Sequence, residues 1–196
     1  MEAAETLMSD SQSDYRQRLY AQLVSARGRL QYTATAHEKD AERLTKLNNI
    51  LHWLQIALSA TTAGSFLIVA FPIQAKVIGA ACSTILCVLS AVTKNYSPKA
   101  KAQSHRQAAD QLWSLRERYE SLLCDFTELD DEAIRRKRDD LSNEVGEIYK
   151  HTPRTTARAY HQTKKALQRD KEQTFDEDEA EQFLPPKLRY LSEKSK

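Results

Sequence analysis

Residues 50–71 read ILHWLQIALSATTAGSFLIVAF and residues 77–93 read VIGAACSTILCVLSAVT, joined by Pro72, Ile73, Gln74, Ala75 and Lys76. Across the whole stretch there is no Asp or Glu, and Lys76 is the only Lys or Arg. As helices rising 1.5 Å per residue, the two halves reach about 33 Å and about 25 Å. A bilayer's hydrocarbon core is about 30 Å thick and is crossed by roughly 17–25 residues. Starting the second half at Ile73 lengthens it enough, because Lys76 near a helix end can snorkel to the headgroups. A core helix of a soluble protein normally shows a polar face, and a run this long without a formal charge is unusual for one. A cleaved signal peptide fits poorly, since the apolar run begins only after mostly polar residues and no cationic n-region precedes it. The stretch therefore predicts a two-helix transmembrane hairpin, 50–71 and about 73–93.

The flanks are of opposite character. Residues 1–49 carry 7 basic and 7 acidic side chains, and residues 94–196 carry 21 and 20. Neither has the positive excess of a general nucleic-acid binder, so no nucleic-acid partner is expected. Cations crowd both ends of the apolar stretch (Lys39, Arg43 and Lys46 before it, Lys94, Lys99 and Lys101 after it), whereas the connector has one. The positive-inside rule then puts both termini in the cytoplasm of a multi-pass inner (plasma) membrane protein. Cys82, Cys87 and Cys124 form no paired motif and read as reduced, structural thiols.

Outside the apolar stretch the periodicity is helical and no strand-like alternation of useful length occurs, so the expected class is all-α. Residues 1–13 are short of apolar side chains and read as a disordered N-terminus. Over 14–49, Tyr15, Leu19, Leu23, Ala26, Leu30, His37, Ala41, Leu44 and Leu47 mark one face of a cytoplasmic helix that enters the first span without a break. Residues 94–189 form a second cytoplasmic helical region. Its first helix runs from Pro98 to about Phe126, with Ser97 as cap and Pro98 in the first turn; Ala102, Ala109, Leu112, Trp113, Leu115, Tyr119, Leu122, Leu123 and Phe126 make its apolar side. It pairs antiparallel with the N-terminal helix. Asp130 caps a helix over 131–150 that packs through Ile134, Leu141, Val145 and Ile148. Thr152 and Pro153 open another, ending near Arg169 with Ala157, Tyr160 and Leu167 inward. Thr174 with Glu177 makes a capping box before Pro185 and Pro186, and 190–196 reads as a tail.

No catalytic or cofactor signature is present. The four glycines are too scattered for a phosphate-binding loop, and the five histidines lack metal-ligand spacing, so neither a metal nor a cofactor nor an enzyme activity is expected. The run Arg135, Arg136, Lys137, Arg138 invites a phosphate or lipid contact. It lies between acidic neighbours on both sides, which favours helix salt bridges on a solvated face. The spans say more. Asn48, His52, Gln55, Ser59 and Thr62 fall within about 80° of one another at 100° per residue, a polar stripe that lipid cannot satisfy and that suits either a pore lining or a packing face. Gly64 in the first span, and Gly79, Ser83, Cys87 and Ser90 in the second, are small residues that allow close helix packing. Two helices cannot enclose a conducting path, so a pore requires a homo-oligomer.

Several segments together resemble the SLATT family, the two-transmembrane effector domains that associate with SMODS nucleotide cyclases and SLOG sensor domains. They are YRQRLYAQLVSARGRLQYTATAHEKDAERLTKLNNILHWLQIALSA (15–60), HRQAADQLWSLRERYESLLCDF (105–126), RDDLSNEVGEIYKHTPRTTARAYHQTKKAL (138–167) and FLPPKLR (183–189). The resemblance spans roughly residues 15–189. It implies a bacterial membrane effector that works beside a nucleotide cyclase or sensor in a conflict or antiphage system and disrupts the inner membrane on activation, with no catalytic residues. The competing expectation is a non-conducting membrane anchor or scaffold that docks a cytoplasmic partner through its helices.

Overall fold

The computed structural model describes residues 2–67, 73–174 and 179. Among them the chain is helical and contains no strand. The elements are α1 (Glu2–Leu67), α2 (Ile73–Tyr96), α3 (Pro98–Cys124), a 3₁₀ turn at Asp125–Thr127, α4 (Asp131–His151) and α5 (Ala157–Lys164), which ends in a π-helical turn at Lys165–Arg169. At 1.5 Å per residue α1 is about 100 Å long. It starts at Glu2, not near Asp14, so residues 2–13 are helical where their composition predicts disorder. The connector 68–72, the Thr174–Glu177 capping box, Pro185, Pro186 and the tail lie outside the described residues.

The antiparallel pairing of α1 with α3 is as the periodicity predicts. Arg27 meets Glu120 and His37 meets His105, so the numbers run in opposite directions along the two helices. Their shared core joins Leu19, Leu23, Leu30 and Ala34 to Leu112, Leu115, Tyr119 and Leu122. Phe126 of the 3₁₀ turn and Ile134 and Leu141 of α4 complete it. Each is a large apolar group repeating every three or four residues, the pattern that fits one helix's side chains between those of its neighbour.

Of three connections, two differ from expectation. Ser97 precedes α3, but its hydroxyl does not cap the helix: it donates to the Lys94 carbonyl at 2.9 Å, and the backbone takes the left-handed conformation (φ 45°) that breaks α2 from α3 within one residue. Asp130 does cap α4, accepting from the Ala133 amide at 2.7 Å. Thr152 and Pro153 do not start the next helix. Residues 152–156 form a loop, and Thr156 caps α5 by accepting from the Ala159 amide at 3.2 Å. Because α5 starts later than predicted, its inward face is Ala159, Thr163 and Ala166, while Ala157 and Tyr160 are exposed.

A single cation secures the turn between α3 and α4. The Arg16 guanidinium donates to Asp131 at 2.6 Å, to the Phe126 carbonyl at 2.7 Å and to the Leu129 carbonyl at 2.9 Å, while lying 5.0 Å from the Phe126 ring centroid. Two of these acceptors are carbonyls of the turn that follows α3, so the charge satisfies backbone groups that no helix pairs. Arg16→Ala should lower stability by about 1–2 kcal/mol, since charged hydrogen bonds are lost and the site is partly solvated. Arg16→Lys should recover only part of the loss, because an ammonium cannot reproduce the planar fork. Denaturant melts of the purified protein would test both.

Candidate functional site

The apolar ends of α1 and α2 pack together, and the seam can be read from burial. On α1 the half-buried residues are Asn48, Leu51, Gln55, Leu58 and Thr62; on α2 they are Cys82, Ser83, Leu86, Leu89 and Thr93, with Gly79 fully buried. At 100° per residue the α1 seam is centred about 40° from the centre of the predicted polar stripe. The two share Asn48, Gln55 and Thr62, while His52 and Ser59 are exposed. On α2, Gly79 and Ser83 belong to the seam, whereas Cys87 and Ser90 are exposed. Gly64 is exposed, and a Cβ there would meet nothing within 4 Å.

A polar contact crosses the seam between described residues. The Gln55 amide donates to the Thr93 hydroxyl at 3.1 Å, and that hydroxyl donates in turn to the Leu89 carbonyl at 2.9 Å. Thr93 has no place in the predicted stripe, although its position opposite Gln55 is the one that satisfies the amide. His52 faces a groove of about 490 Å³ where α1 and α2 meet α3, lined by Asn48, Asn49, Lys99, Gln103 and Arg106. Around both helices large apolar side chains face outward: Trp53 is 70 % exposed, Val77 65 % and Ile50 64 %, with Ile78, Val88 and Val92 also open. A helical stretch starting at Val77 is long and apolar enough to cross a membrane, and almost none of it is buried. The apolar part of α1 is described only as far as Leu67 and carries His52 and Gln55 within it.

The basic run is divided among local partners. Arg135 donates to the Asp131 carbonyl at 3.2 Å and lies 6.0 Å from the Tyr15 ring centroid. Arg138 pairs with Asp139 at 2.7 Å and reaches Gln22 at 3.2 Å. Lys137 borders a cleft of about 250 Å³ that also holds Asp125 and Asp140, and Arg136 is exposed.

Midway along α1 lies a polar cluster that the motif search missed. Asp40, 1 % exposed, accepts from the Thr156 amide at 2.8 Å and the Thr156 hydroxyl at 2.7 Å, and pairs with Arg43 at 3.2 Å. One turn away, the Nδ1 atoms of His37 and His105 lie 2.9 Å apart in a buried contact, so one ring donates and the other accepts. That requires at least one neutral imidazole. Burial accounts for it: desolvation, then the charge of His105, holds His37 down to about 4 despite the nearby Asp40 carboxylate. Burial also lowers His105. The available signal was a charge on an apolar stripe, since Asp40 falls between His37 and Leu44 on the buried face of α1, and His105 between Ala102 and Ala109 on that of α3.

Residues 19–179 match the SMODS and SLOG-associating 2TM effector domain family 4. This chain belongs to the SLATT family. The match covers the α1–α3 core, both apolar segments and the Asp40 cluster, so it concerns nearly the whole chain. The family's description is of two-transmembrane effector domains that associate with SMODS and SLOG. No curated protein and no solved structure matches the chain.

Two measurements follow. A histidine held below its unfolded value disfavours protonation in the folded state, so its contribution is complete above about pH 6.5 and is lost as pH falls toward about 4. Acidification from pH 7 to pH 5 should therefore cost about 2 kcal/mol, and His37→Gln should flatten this dependence in denaturant melts. For the seam, a double-mutant cycle on Gln55→Leu and Thr93→Val should return a coupling of about 0.6–1.7 kcal/mol, the range of hydrogen bonds between membrane helices.

Proposed function

We propose that this SLATT chain is a membrane effector of a bacterial nucleotide-signalled defence system, and that its apolar segments form a transmembrane hairpin with both termini cytoplasmic. The reading rests on the outward-facing belt of Ile50, Trp53, Val77, Ile78, Val88 and Val92, which would be costly in water and is at home in lipid. On this reading several copies assemble a pore. The exposed His52 motivates it most, because lipid offers no hydrogen-bond partner and an imidazole there must meet water or a neighbouring chain. Asn48, Gln55 and Thr62 then hold the hairpin together, and His52 and Ser59 face the conducting path. Activation requires a ligand or partner that binds one arrangement of the cytoplasmic helices better than the other.

The second reading, an anchor that docks a partner through α3 and α4 without conducting, separates from the first by flux. Protein reconstituted in liposomes should release an entrapped ion-sensitive dye when activated, and His52→Leu should abolish release while leaving insertion intact. His52→Leu plus Gln55→Leu should remove toxicity in cells. Silence of the wild-type protein, with and without cyclic nucleotides, would favour the anchor.

A further inference from the structure

Between Glu147 and Asp170 the sequence has no Asp or Glu, yet it has six Lys or Arg: Lys150, Arg154, Arg158, Lys164, Lys165 and Arg169. The chain as a whole is only +2, so this segment carries far more than its share. Lys150 pairs with Glu147 and Arg169 lies 3.8 Å from Asp170. Arg154, Arg158, Lys164 and Lys165 have no carboxylate partner among the described residues. The contrast is with Arg135–Arg138, whose members sit among Asp residues.

The same segment builds a cleft. Where the 152–156 loop crosses α1 there is an open cleft of about 490 Å³, lined by Thr33 and His37 of α1, Tyr149 at the end of α4, and Thr152, Pro153, Arg154 and Thr155 of the loop. Its lining contains a guanidinium, three hydroxyl groups, an imidazole and a half-exposed phenol ring, and no carboxylate. A volume of this size lies within the range of small-molecule sites. A guanidinium among hydroxyl-bearing side chains recognises phosphate oxygens, and an aromatic ring in the same lining offers a face for a planar base.

The geometry points to this cleft as the binding site of a nucleotide, with Arg154 and the Thr152 and Thr155 hydroxyls on its phosphate and Tyr149 against its base. A membrane phosphate is the poorer occupant. His37 lies thirteen residues before Ile50 on an unbroken helix, which puts the cleft about 20 Å from the apolar belt, beyond a Debye length of about 8 Å. The site is also placed to act on the spans. Thr156, next to Thr155, supplies both hydrogen bonds that hold the loop to Asp40 of α1. Filling the cleft bears on the loop, the loop bears on Asp40, and α1 continues from Asp40 to Gln55 without a break. This deepens the nucleotide-signalled reading by naming where the signal binds.

Full-length protein in lipid nanodiscs should be titrated with fluorescent MANT-ATP, with unlabelled ATP, cyclic AMP, cyclic di-AMP and inorganic phosphate as competitors. The expected result is saturable binding displaced by at least one nucleotide and only weakly by phosphate. Arg154→Ala should weaken it at least tenfold, as should Tyr149→Leu, while Tyr149→Phe retains it. Circular dichroism melts identify a variant that has merely unfolded, and Arg154→Lys, which keeps the charge without the fork, should fall between wild type and Arg154→Ala. The proposal is overturned by no saturable binding of any probe, by binding indifferent to Arg154 and Tyr149, or by an Arg154 dependence seen only with a single-stranded RNA oligomer or with anionic phosphatidylglycerol vesicles. Because binding is read without flux, a protein that binds and does not conduct would sink the pore and leave this site standing.

Discussion

A carboxylate that is 1 % exposed between packed helices would be expelled unless its oxygens were bonded, since an uncompensated buried charge costs several kcal/mol. Asp40 is bonded on every side that matters: two hydrogen bonds from Thr156 and an ion pair from Arg43. Those contacts fix the 152–156 loop on α1, and the loop fixes where α5 begins, because Thr156 uses the same hydroxyl to cap that helix. The neighbouring His37–His105 bond joins α1 to α3 at the same level. Three segments distant in sequence therefore meet at one turn of α1 through polar contacts that have only one good geometry. The leucine seam farther along supplies most of the burial, but apolar contacts alone leave the register of long helices loosely determined.

Helix continuity gives this turn its reach. From Glu2 to Leu67 α1 is one continuous helix without proline, with Gly28 and Gly64 inside it. A sharp bend in a helix has a local cause such as proline or a bulge, and none is present. A displacement or rotation imposed near Asp40 is therefore carried toward Gln55 with little loss. α3 is different: the left-handed Ser97 separates it from α2, so the return path has a joint where the forward path has none. The asymmetry suits a device in which α1 carries the motion and α2 adjusts against it.

How much of this was legible from the residues depends on the kind of contact. The helical class, the α1–α3 pairing and the Asp130 cap follow from spacing and from single-residue chemistry, both local. The α5 start was misplaced because Thr152 with Pro153 is as good a local signal as Thr156. Asp40, far away in sequence, decides between them by bonding Thr156 alone. The same limit applies in the spans. Angles identify a polar face, but which third of that face turns toward the partner depends on the volumes of Leu51, Leu58, Leu86 and Leu89. That choice rotates the seam away from His52 and brings Thr93 under Gln55.

The division between His52 and Gln55 bears on how many chains are needed. A glutamine bonded across the α1–α2 seam is satisfied within one copy and makes no demand on a second. The exposed His52 imidazole, one turn from Asn48, makes no hydrogen bond among the described residues, whereas the exposed Ser59 hydroxyl, three turns from Asn48, can bond back to its own helix as Thr61 and Ser83 do. A single hairpin in a bilayer would have to place the imidazole near the headgroups or leave it unbonded, at a cost of the order of 1 kcal/mol or more. His52, at the groove with Lys99 and Arg106, lies close enough to the polar boundary to stay wet. Ser59, two turns deeper, does not. Its hydroxyl, small as it is, separates an isolated hairpin from an assembled one: a back-bond to its own helix would suffice for the first, whereas a water file or a neighbouring helix is what the second provides.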